Sequence, residues 1–327
     1  MTSKHKYLMQ KSIEQKISKR GIHSRAYDLV QNHYGNEIQK IVAIIPHWLT
    51  DPNHWVGKLQ RLEEIYDLDF EDVLTNIAAI IAVQCHQKTM KLVSIASMCA
   101  KFLNMDSKPE SIQTCAELIG LMKPIDIFDY GRNEDNSVIL ISNMTLTQEL
   151  IDHIQYACFL PPMLHPPKRL RHNRSSGYIT QQGQSLILGG YTNHHEGCIS
   201  LDVLNTLNSV AYEIDTQFIA SHVEEWHREQ LTTEEYKELS RADKALYNLN
   251  EQTWEDYQEQ CQALYNLIIR EGNVCYFNHR IDKRGRIYAQ GYHLNPQGKP
   301  YKKAMLNLKS KEICTGVQEW NFKCTST

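Results

Sequence analysis

The chain has 327 residues, of which 42% are hydrophobic, with a formal net charge of −3 and a mean hydropathy of −0.48. This length accommodates two domains, and the composition is typical of a globular protein in water. Nine cysteines occur without a C-x-x-C pair, which argues against a zinc knuckle or a redox motif and indicates reduced thiols in the cytoplasm.

Neither a secretory signal nor a membrane span is predicted. The first sixteen residues, MTSKHKYLMQKSIEQK, lack the apolar centre of a signal peptide. The most apolar run, residues 77–83, is far shorter than the roughly 18 apolar residues that a membrane span needs. We therefore expect a soluble intracellular protein with no membrane partner.

Residues 1–160 are predicted to form a helical N-terminal domain. Apolar residues recur at helical spacing through residues 71–103, a stretch without Gly or Pro. A further helix is expected after Pro109, because Glu110 then lies in its first turn. The amphipathic segment LTQELIDHIQYACFL is expected to form another helix and precedes a Pro-Pro pair.

Residues 161–223 are expected to form a Pro- and Gly-rich connector and an amphipathic helix that complete the N-terminal domain. The connector contains a strand-like run at 186–188. In the segment LDVLNTLNSVAYEIDTQFIASH, six apolar residues at spacings of three and four predict one helical face. These are Leu201, Leu204, Leu207, Ala211, Ile214 and Phe218.

Residues 224–272 form a charged tract that favours helix, with a capping-box pattern at Thr232 and Glu235. From Val274 onward the pattern becomes that of β-strands. The predicted fold class is therefore mainly α, or α+β, with the first strands of a mixed unit at 273–327.

A basic stretch lies between residues 278 and 311, where nine Lys or Arg accompany a single acid, Asp282. Arg284 and Arg286 flank Gly285, and on a strand 282, 284 and 286 share one face, so the carboxylate is expected to orient the arginines. Guanidinium groups bind phosphates, and interleaved tyrosines pack on sugars or bases. The pattern indicates a phosphate-binding surface; a solvated charged face is the alternative.

Three blocks of residues resemble one family. One block comprises the motifs D-K-R-G-R-I-Y (282–288), N-P-Q-G (295–298) and K-A-M-L (303–306). Together these motifs are similar to a signature of single-subunit, phage- and mitochondrial-type DNA-directed RNA polymerases. PMLHPPKRL (162–170), followed by Gly177-Tyr178, and LDVLNTLNSVAYEID (201–215) resemble two further elements, in the family's order. Ser176, Tyr212 and Asp215 depart from the family's Gly, Trp and Asn.

The resemblance implies thumb-like helices at 224–272, and at 273–327 the start of a polymerase palm and a subunit interface. It also implies two groups of site residues. The nucleic-acid-binding residues are expected to be Arg284, Arg286, Tyr288, Lys302, Lys303 and Lys168. The structural or orienting residues are expected to be Asp282, Gly285, Asn295, Pro296, Gln297 and Gly298.

No catalytic or metal-binding residue is expected in this chain. The family's two metal-binding aspartates follow N-P-Q-G, one of them in a His-Asp-Ser turn, whereas this chain contains no His-Asp dipeptide. The resemblance therefore implies the N-terminal subunit of a split polymerase. Mg²⁺ is expected in a catalytic partner that carries the fingers and the rest of the palm, with a DNA template and an RNA transcript as further partners.

Other interpretations stay open. A truncated or repurposed fragment that binds nucleic acid without catalysis is the main alternative, and a downstream reading frame encoding the missing His-Asp-Ser block would distinguish the two. The lack of an Arg/Ser-rich leader favours a phage protein in the bacterial cytoplasm over a mitochondrial one. A DNA-binding accessory factor and a role for His194-His195 are left undecided. Met305, Leu306 and Leu308 are expected to have little to pack on without a partner.

Overall fold

The computed structural model describes residues 2–158, 160–180, 185–189, 198–225 and 231–311. About 54% of the described residues are helical and the strands among them are few and short, so the fold is mainly α with a small β component, as the sequence predicts. The chain divides into two compact units. Residues 15–158 form the helical unit, and residues 1–14 with 159–327 form the mixed unit. Within the described ranges, no helix is long and apolar enough to cross a membrane.

The elements are numbered in chain order. They are α1 (Ser3–Lys16), α2 (Lys19–Leu49), α3 (Val56–Glu63), α4 (Phe70–Gln84), β1 (Met90–Lys91), α5 (Leu92–Cys99), a 3₁₀ turn (Ala100–Phe102), α6 (Lys108–Leu121), β2 (Phe128–Arg132), β3 (Val138–Ser142), α7 (Gln148–Cys158), α8 (Leu201–Ser209), β4 (Tyr212–Ile214), α9 (Thr216–Ser221), α10 (Thr233–Glu238), α11 (Arg241–Arg270), β5 (His279–Ile281), β6 (Ile287–Ala289), α12 (Pro300–Ala304) and β7 (Leu306–Leu308).

Helix α4 is the centre of the helical unit and packs along α2. Asp69 caps it by accepting hydrogen bonds from the backbone N–H groups of Glu71 and Asp72. Ile77 and Ile81 are fully buried, and burying a side chain of this size stabilises a fold by about 1.5–3 kcal/mol. The apolar sequence of this helix is therefore explained by its position inside the core.

The helical stretch predicted at 71–103 is interrupted. Gln87 has a left-handed backbone with φ of 55°, and the chain continues as strand β1 before α5 begins. Met90 pairs with Leu140 in a three-stranded antiparallel sheet of order β1-β3-β2. The strand pairing supplies backbone partners that helical periodicity cannot predict, because they lie about fifty residues away.

Two buried polar side chains connect α1 to the rest of the mixed unit. Gln10 accepts a hydrogen bond of 2.9 Å from the backbone N–H of Leu164. Glu14 accepts hydrogen bonds from the backbone N–H groups of Ile179 (2.9 Å) and Thr180 (2.6 Å), and from the Thr180 hydroxyl. A buried carboxylate is tolerated when donors surround it in this way. The first fourteen residues thus belong to the mixed unit rather than to the predicted N-terminal domain.

The single amphipathic helix predicted at 201–222 is wrong. The segment forms α8, then strand β4, then the short helix α9. Asp215 ends the strand and caps α9 through hydrogen bonds to its side chain from the N–H groups of Gln217 and Phe218. β4 pairs with β7, so a long-range strand partner decides the conformation where the local pattern favours helix. The predicted capping box at Thr232 and Glu235 is confirmed at the start of α10.

The C-terminal strands pack against α11 within the mixed unit. β5 and β6 form an antiparallel hairpin in which Arg280 is opposite Tyr288. Phe277, Leu294 and Met305 are completely buried in the core of this unit. The expectation that Met305 has little to pack on is therefore wrong. The segments predicted at 161–223, 224–272 and 273–327 lie in this one unit.

Candidate nucleic-acid interface

Asp282 organises the turn between β5 and β6. Its Oδ1 accepts hydrogen bonds of 2.9 Å from the backbone N–H groups of Arg284 and Arg286. Gly285 has φ of 82°, a conformation that a residue with a Cβ rarely adopts. The sequence places residues 282, 284 and 286 on one face of a strand, but they lie in the hairpin turn, where the carboxylate fixes the backbone as well as the side chains.

The guanidinium of Arg286 is both held and exposed. Its Nε and Nη2 each lie 2.7 Å from Asp282 Oδ2, yet 53% of its side chain is accessible. Tyr288 donates a hydrogen bond of 3.3 Å to the same oxygen, and the Arg286 guanidinium lies over its ring at 5.6 Å. Desolvation acts to raise the pKa of Asp282, but hydrogen bonds from Arg286 outweigh it and lower the pKa.

The remaining basic residues of the turn point into solvent. Lys283 is exposed, and 72% of the Arg284 side chain is accessible while its Nε lies 3.6 Å from the Asp282 carboxylate. Three cationic side chains therefore lie near one carboxylate at the tip of the hairpin, and the ion pair with Arg286 balances the charge of that carboxylate. This arrangement presents guanidinium donors to an anion, and the bidentate geometry of Arg suits phosphate.

The N-P-Q-G loop is built onto the edge of the hairpin. Gln297 accepts a hydrogen bond from Ala289 N (2.8 Å) and donates one to Ile287 O (3.0 Å), so its amide pairs with β6 as another strand would. Asn295 donates to the carbonyls of Ala289 and Gly291 and accepts from Gln297 N. These side chains hold β6 and its tyrosine in place, and Pro296 and Gly298 complete the same turn.

Lys302 does not lie on the exposed surface that the sequence predicts. It is 95% buried, because only 5% of its surface is accessible. Its Nζ donates a hydrogen bond of 2.6 Å to the carbonyl of Tyr292 and lies over the rings of Tyr257 and Tyr292, at 4.7 and 5.3 Å. Burial lowers the pKa of Lys302. The neighbouring Lys303 is exposed, so the two adjacent lysines occupy opposite environments.

The block at 162–170 packs beside the strands that lead into the hairpin. Met163 pairs with Tyr276 in an antiparallel bridge. The Lys168 ammonium donates a hydrogen bond of 2.9 Å to the carbonyl of Ile179, within its own loop, although the residue is exposed. At Gly177 a Cβ would lie 1.7 Å from the Asn278 side chain, so only glycine fits this close approach.

Two asparagines of α8 bring the separate sequence blocks together. Asn205 accepts a hydrogen bond from Leu170 N (2.7 Å) and donates one to Leu170 O (3.0 Å). Asn208, which is buried, accepts a hydrogen bond of 2.8 Å from the backbone N–H of His279 at the start of β5. The blocks at 162–170 and 201–215 are therefore hydrogen-bonded to each other, and α8 also bonds to β5, the strand that leads into the block at 282–288.

A cavity of about 430 Å³ beside the N-P-Q-G loop was not predicted from the sequence. Trp254 and Tyr257 of α11 line one side, and Tyr292 and Lys299 line the other. The one available signal was the spacing of Trp254 and Tyr257, which places both rings on one helical face. Such spacing more often indicates core packing than a site, which is why the pattern alone did not identify the cavity.

Within the described ranges, no three His, Cys, Asp or Glu side chains come together as a metal site. The His194-His195 pair lies outside the described residues.

Comparison with known proteins does not assign the chain. No family model matches the sequence. A search of curated proteins likewise finds no significant match.

Proposed function

We propose that the chain is the N-terminal subunit of a two-subunit DNA-directed RNA polymerase related to the single-subunit phage and mitochondrial type. The observation that carries the proposal is the order and length of the three sequence blocks, supported by their assembly around α8. Asn205 bonds to the block at 162–170, and Asn208 bonds to His279 in β5, the strand that leads into the block at 282–288. Residues that resemble one family signature, and that also bind one another across the fold, are more informative than either fact alone.

The hairpin tip supplies the binding chemistry of this proposal. Asp282 orients Arg286, and more than half of the Arg286 side chain is accessible to solvent. Together with Lys283 and Arg284 it forms a cationic tip suited to the backbone of a template–transcript hybrid. Tyr288 bonds to Asp282, and the N-P-Q-G loop holds β6, the strand that begins directly after Arg286. Lys303 extends the proposed surface, whereas Lys302 serves the interior.

The proposed partner supplies catalysis. RNA polymerisation by two-metal chemistry uses carboxylates to hold two divalent cations that stabilise the attacking and leaving oxygens. In the described part of this chain, no cluster of three or more His, Cys, Asp or Glu side chains could hold a metal ion. Its own contribution would be to bind nucleic acid and to dock the catalytic subunit through residues 274–327, over the roughly 2,000 Å² or more that permanent partners bury.

The test is RNA synthesis by the complex purified from its native source. Template-dependent synthesis with Mg²⁺ and nucleotides is expected only when the second subunit is present. A complex without synthesis that still binds nucleic acid would support the repurposed, non-catalytic fragment instead. Synthesis by the highly purified single chain would contradict the assignment of the metal site to the partner.

The binding role is tested with Arg286→Ala. Charge-assisted contacts to phosphate are among the strong hydrogen bonds, so their loss should lower RNA synthesis by at least about tenfold. Arg132→Ala is the matched control, because Arg132 is an exposed arginine beside the turn of the other hairpin, bonded to Asn136. Subunit association should be unchanged in both variants. An Arg286→Ala complex with full activity would refute the role given to the hairpin tip.

A further inference from the structure

The cavity beside α11 has the size of a small-molecule site. Its volume of about 430 Å³ falls within the roughly 300–1,000 Å³ of ligand pockets. One wall is a single face of α11, and the other is the loop that runs from Gly291 to Lys302. Both walls belong to the mixed unit. The N-P-Q-G loop therefore has two sides, since Gln297 bonds to β6 while Gly298 and Lys299 line the cavity.

Three aromatic rings give this cavity flat apolar surfaces. The rings of Trp254 and Tyr257 stack at 5.2 Å with an interplanar angle of 26°. Tyr257 meets Tyr292 edge to face at 5.6 Å. Tyr292 remains 49% exposed, which is unusual for a tyrosine that belongs only to a core. Aromatic faces of this kind stack on any nucleobase, whatever the sequence of the strand.

The charges around the rings are arranged asymmetrically. Lys299 is exposed at the rim, whereas Lys302 is buried behind the rings and held by the Tyr292 carbonyl. Glu224 is the one acid among the lining residues, and its carboxylate accepts a hydrogen bond of 3.2 Å from the Tyr257 hydroxyl. The cavity thus offers aromatic faces for a base and a cation at the rim for a phosphate. The Glu224 carboxylate is an acceptor for hydrogen-bond donors of a base or a ribose.

We propose that this cavity holds one nucleotide of single-stranded nucleic acid, with its base against Trp254 and Tyr292 and its phosphate at Lys299. The inference rests on the proposed function in taking RNA or DNA as the ligand. A concave site of this volume accommodates an unstacked nucleotide but not a base pair within a duplex. The site is separate from the hairpin tip, whose residues do not line the cavity.

Binding by the full chain tests the inference directly. Fluorescently labelled short oligouridine and oligothymidine are the probes, and tighter binding of one of them identifies RNA or DNA as the source. Loss of a stacking platform or a phosphate contact should weaken binding by about fivefold or more. That loss is expected for Trp254→Ala and for Lys299→Ala. Wild-type affinity in both variants would overturn the proposal.

Matched controls separate the cavity from general surface effects. Trp55 is 66% exposed and Lys123 is also exposed, and both lie in the helical unit. Trp55→Ala and Lys123→Ala should bind within twofold of wild type. Trp254→Phe keeps an aromatic face and should bind nearly as well as wild type, even if Trp254→Ala perturbs folding. Equal loss in the control variants would overturn a localised site.

Photocrosslinking with 4-thiouridine-containing RNA locates the contact. The crosslinked peptides should contain Trp254 or Tyr292, including in the Arg286→Ala variant. If a nucleoside monophosphate competes with the same affinity as the oligonucleotide, the cavity binds free nucleotides, and its assignment to a nucleic-acid strand is overturned. If the complex makes no RNA but the crosslink still forms, only the proposed function is refuted. Normal synthesis without the crosslink would refute only the cavity.

Discussion

The helical unit buries mainly aliphatic side chains, whereas the mixed unit also buries three carboxylates, two imidazoles, amides and a lysine. In the helical unit, the buried Thr75 and Thr114 donate to carbonyls four residues earlier, within one helix. In the mixed unit, Glu14 binds Thr180 and Asn208 binds His279. The apolar core of the helical unit follows from periodicity, with Arg61 bonding to Thr114 as a polar pair distant in sequence, whereas several such pairs hold the mixed unit. We therefore expect truncation of an apolar side chain to destabilise the helical unit most, and loss of a buried polar group to destabilise the mixed unit.

The largest loss of stability is expected for Ile77→Ala in the helical unit. Ile77 is completely buried in α4, and truncation of such a side chain leaves a cavity and costs about 2–5 kcal/mol. Hydrogen exchange followed by mass spectrometry should show faster exchange in α2 and α4. Ile44→Ala is the control, because Ile44 is 48% exposed on α2 and should cost much less. Equal effects of the two variants would contradict the described core.

A loss of about 3 kcal/mol is expected for Glu14→Ala in the mixed unit. The substitution leaves the backbone N–H groups of Ile179 and Thr180 without their acceptor, and each buried unsatisfied group costs about 1–3 kcal/mol. Glu14→Gln keeps one acceptor oxygen and should lose less. Hydrogen exchange should accelerate at residues 178–180. Unchanged exchange there would show that the carboxylate does not connect α1 to this loop.

Acid should weaken the mixed unit through His293. Burial, with the charge of Lys302, lowers the pKa of His293 to about 4, against roughly 6.5 in an unfolded chain. The unfolded state therefore binds more protons between pH 6.5 and 4, so stability is complete above this window and falls as the pH is lowered through it. The loss reaches about 3 kcal/mol by pH 4.

His293→Gln isolates this contribution from that of other buried histidines. The His293 ring stacks on Tyr257 and bonds to Gln260, and an amide retains hydrogen bonding without titrating in this range. Denaturation of the variant, monitored by hydrogen exchange in α11, should show a shallower dependence on pH than the wild type. His33→Gln, at an exposed position, should leave the wild-type slope intact. An unchanged slope in His293→Gln would contradict the buried neutral imidazole.

The smallest effect distinguishes two adjacent lysines. Lys303 is exposed and Lys302 is buried. Under the proposed function, Lys303→Ala should reduce the slope of log affinity against log salt by up to about 0.9, the value for one duplex phosphate contact. Lys302→Met should leave the slope unchanged, because its ammonium bonds to Tyr292 inside the protein. A reduced slope for Lys302→Met would restore the surface role first predicted for it.

Much of the candidate interface was visible in the sequence. The concentration of Arg284 and Arg286 around Asp282 predicts a phosphate-binding surface in which the carboxylate orients the arginines, although the pattern placed these residues on a strand rather than in a turn. What the pattern could not give was the environment of each charge. Lys302 and Lys303 are adjacent residues of the same type, but only Lys302 is buried. The difference arises because one side of the short helix α12 faces inward, where Lys302 packs on Tyr257 and Tyr292.

The mainly helical fold, the apolar face of α4 and the capping box at Thr232 follow from local sequence, since each depends on residues within one or two turns. The break between α8 and α9 depends instead on tertiary contacts, because β7 pairs with β4 from about ninety residues away. The same holds for the aromatic cavity between α11 and the N-P-Q-G loop. Local patterns encode propensity, but strand pairing and cavities arise from contacts that form only when distant segments meet.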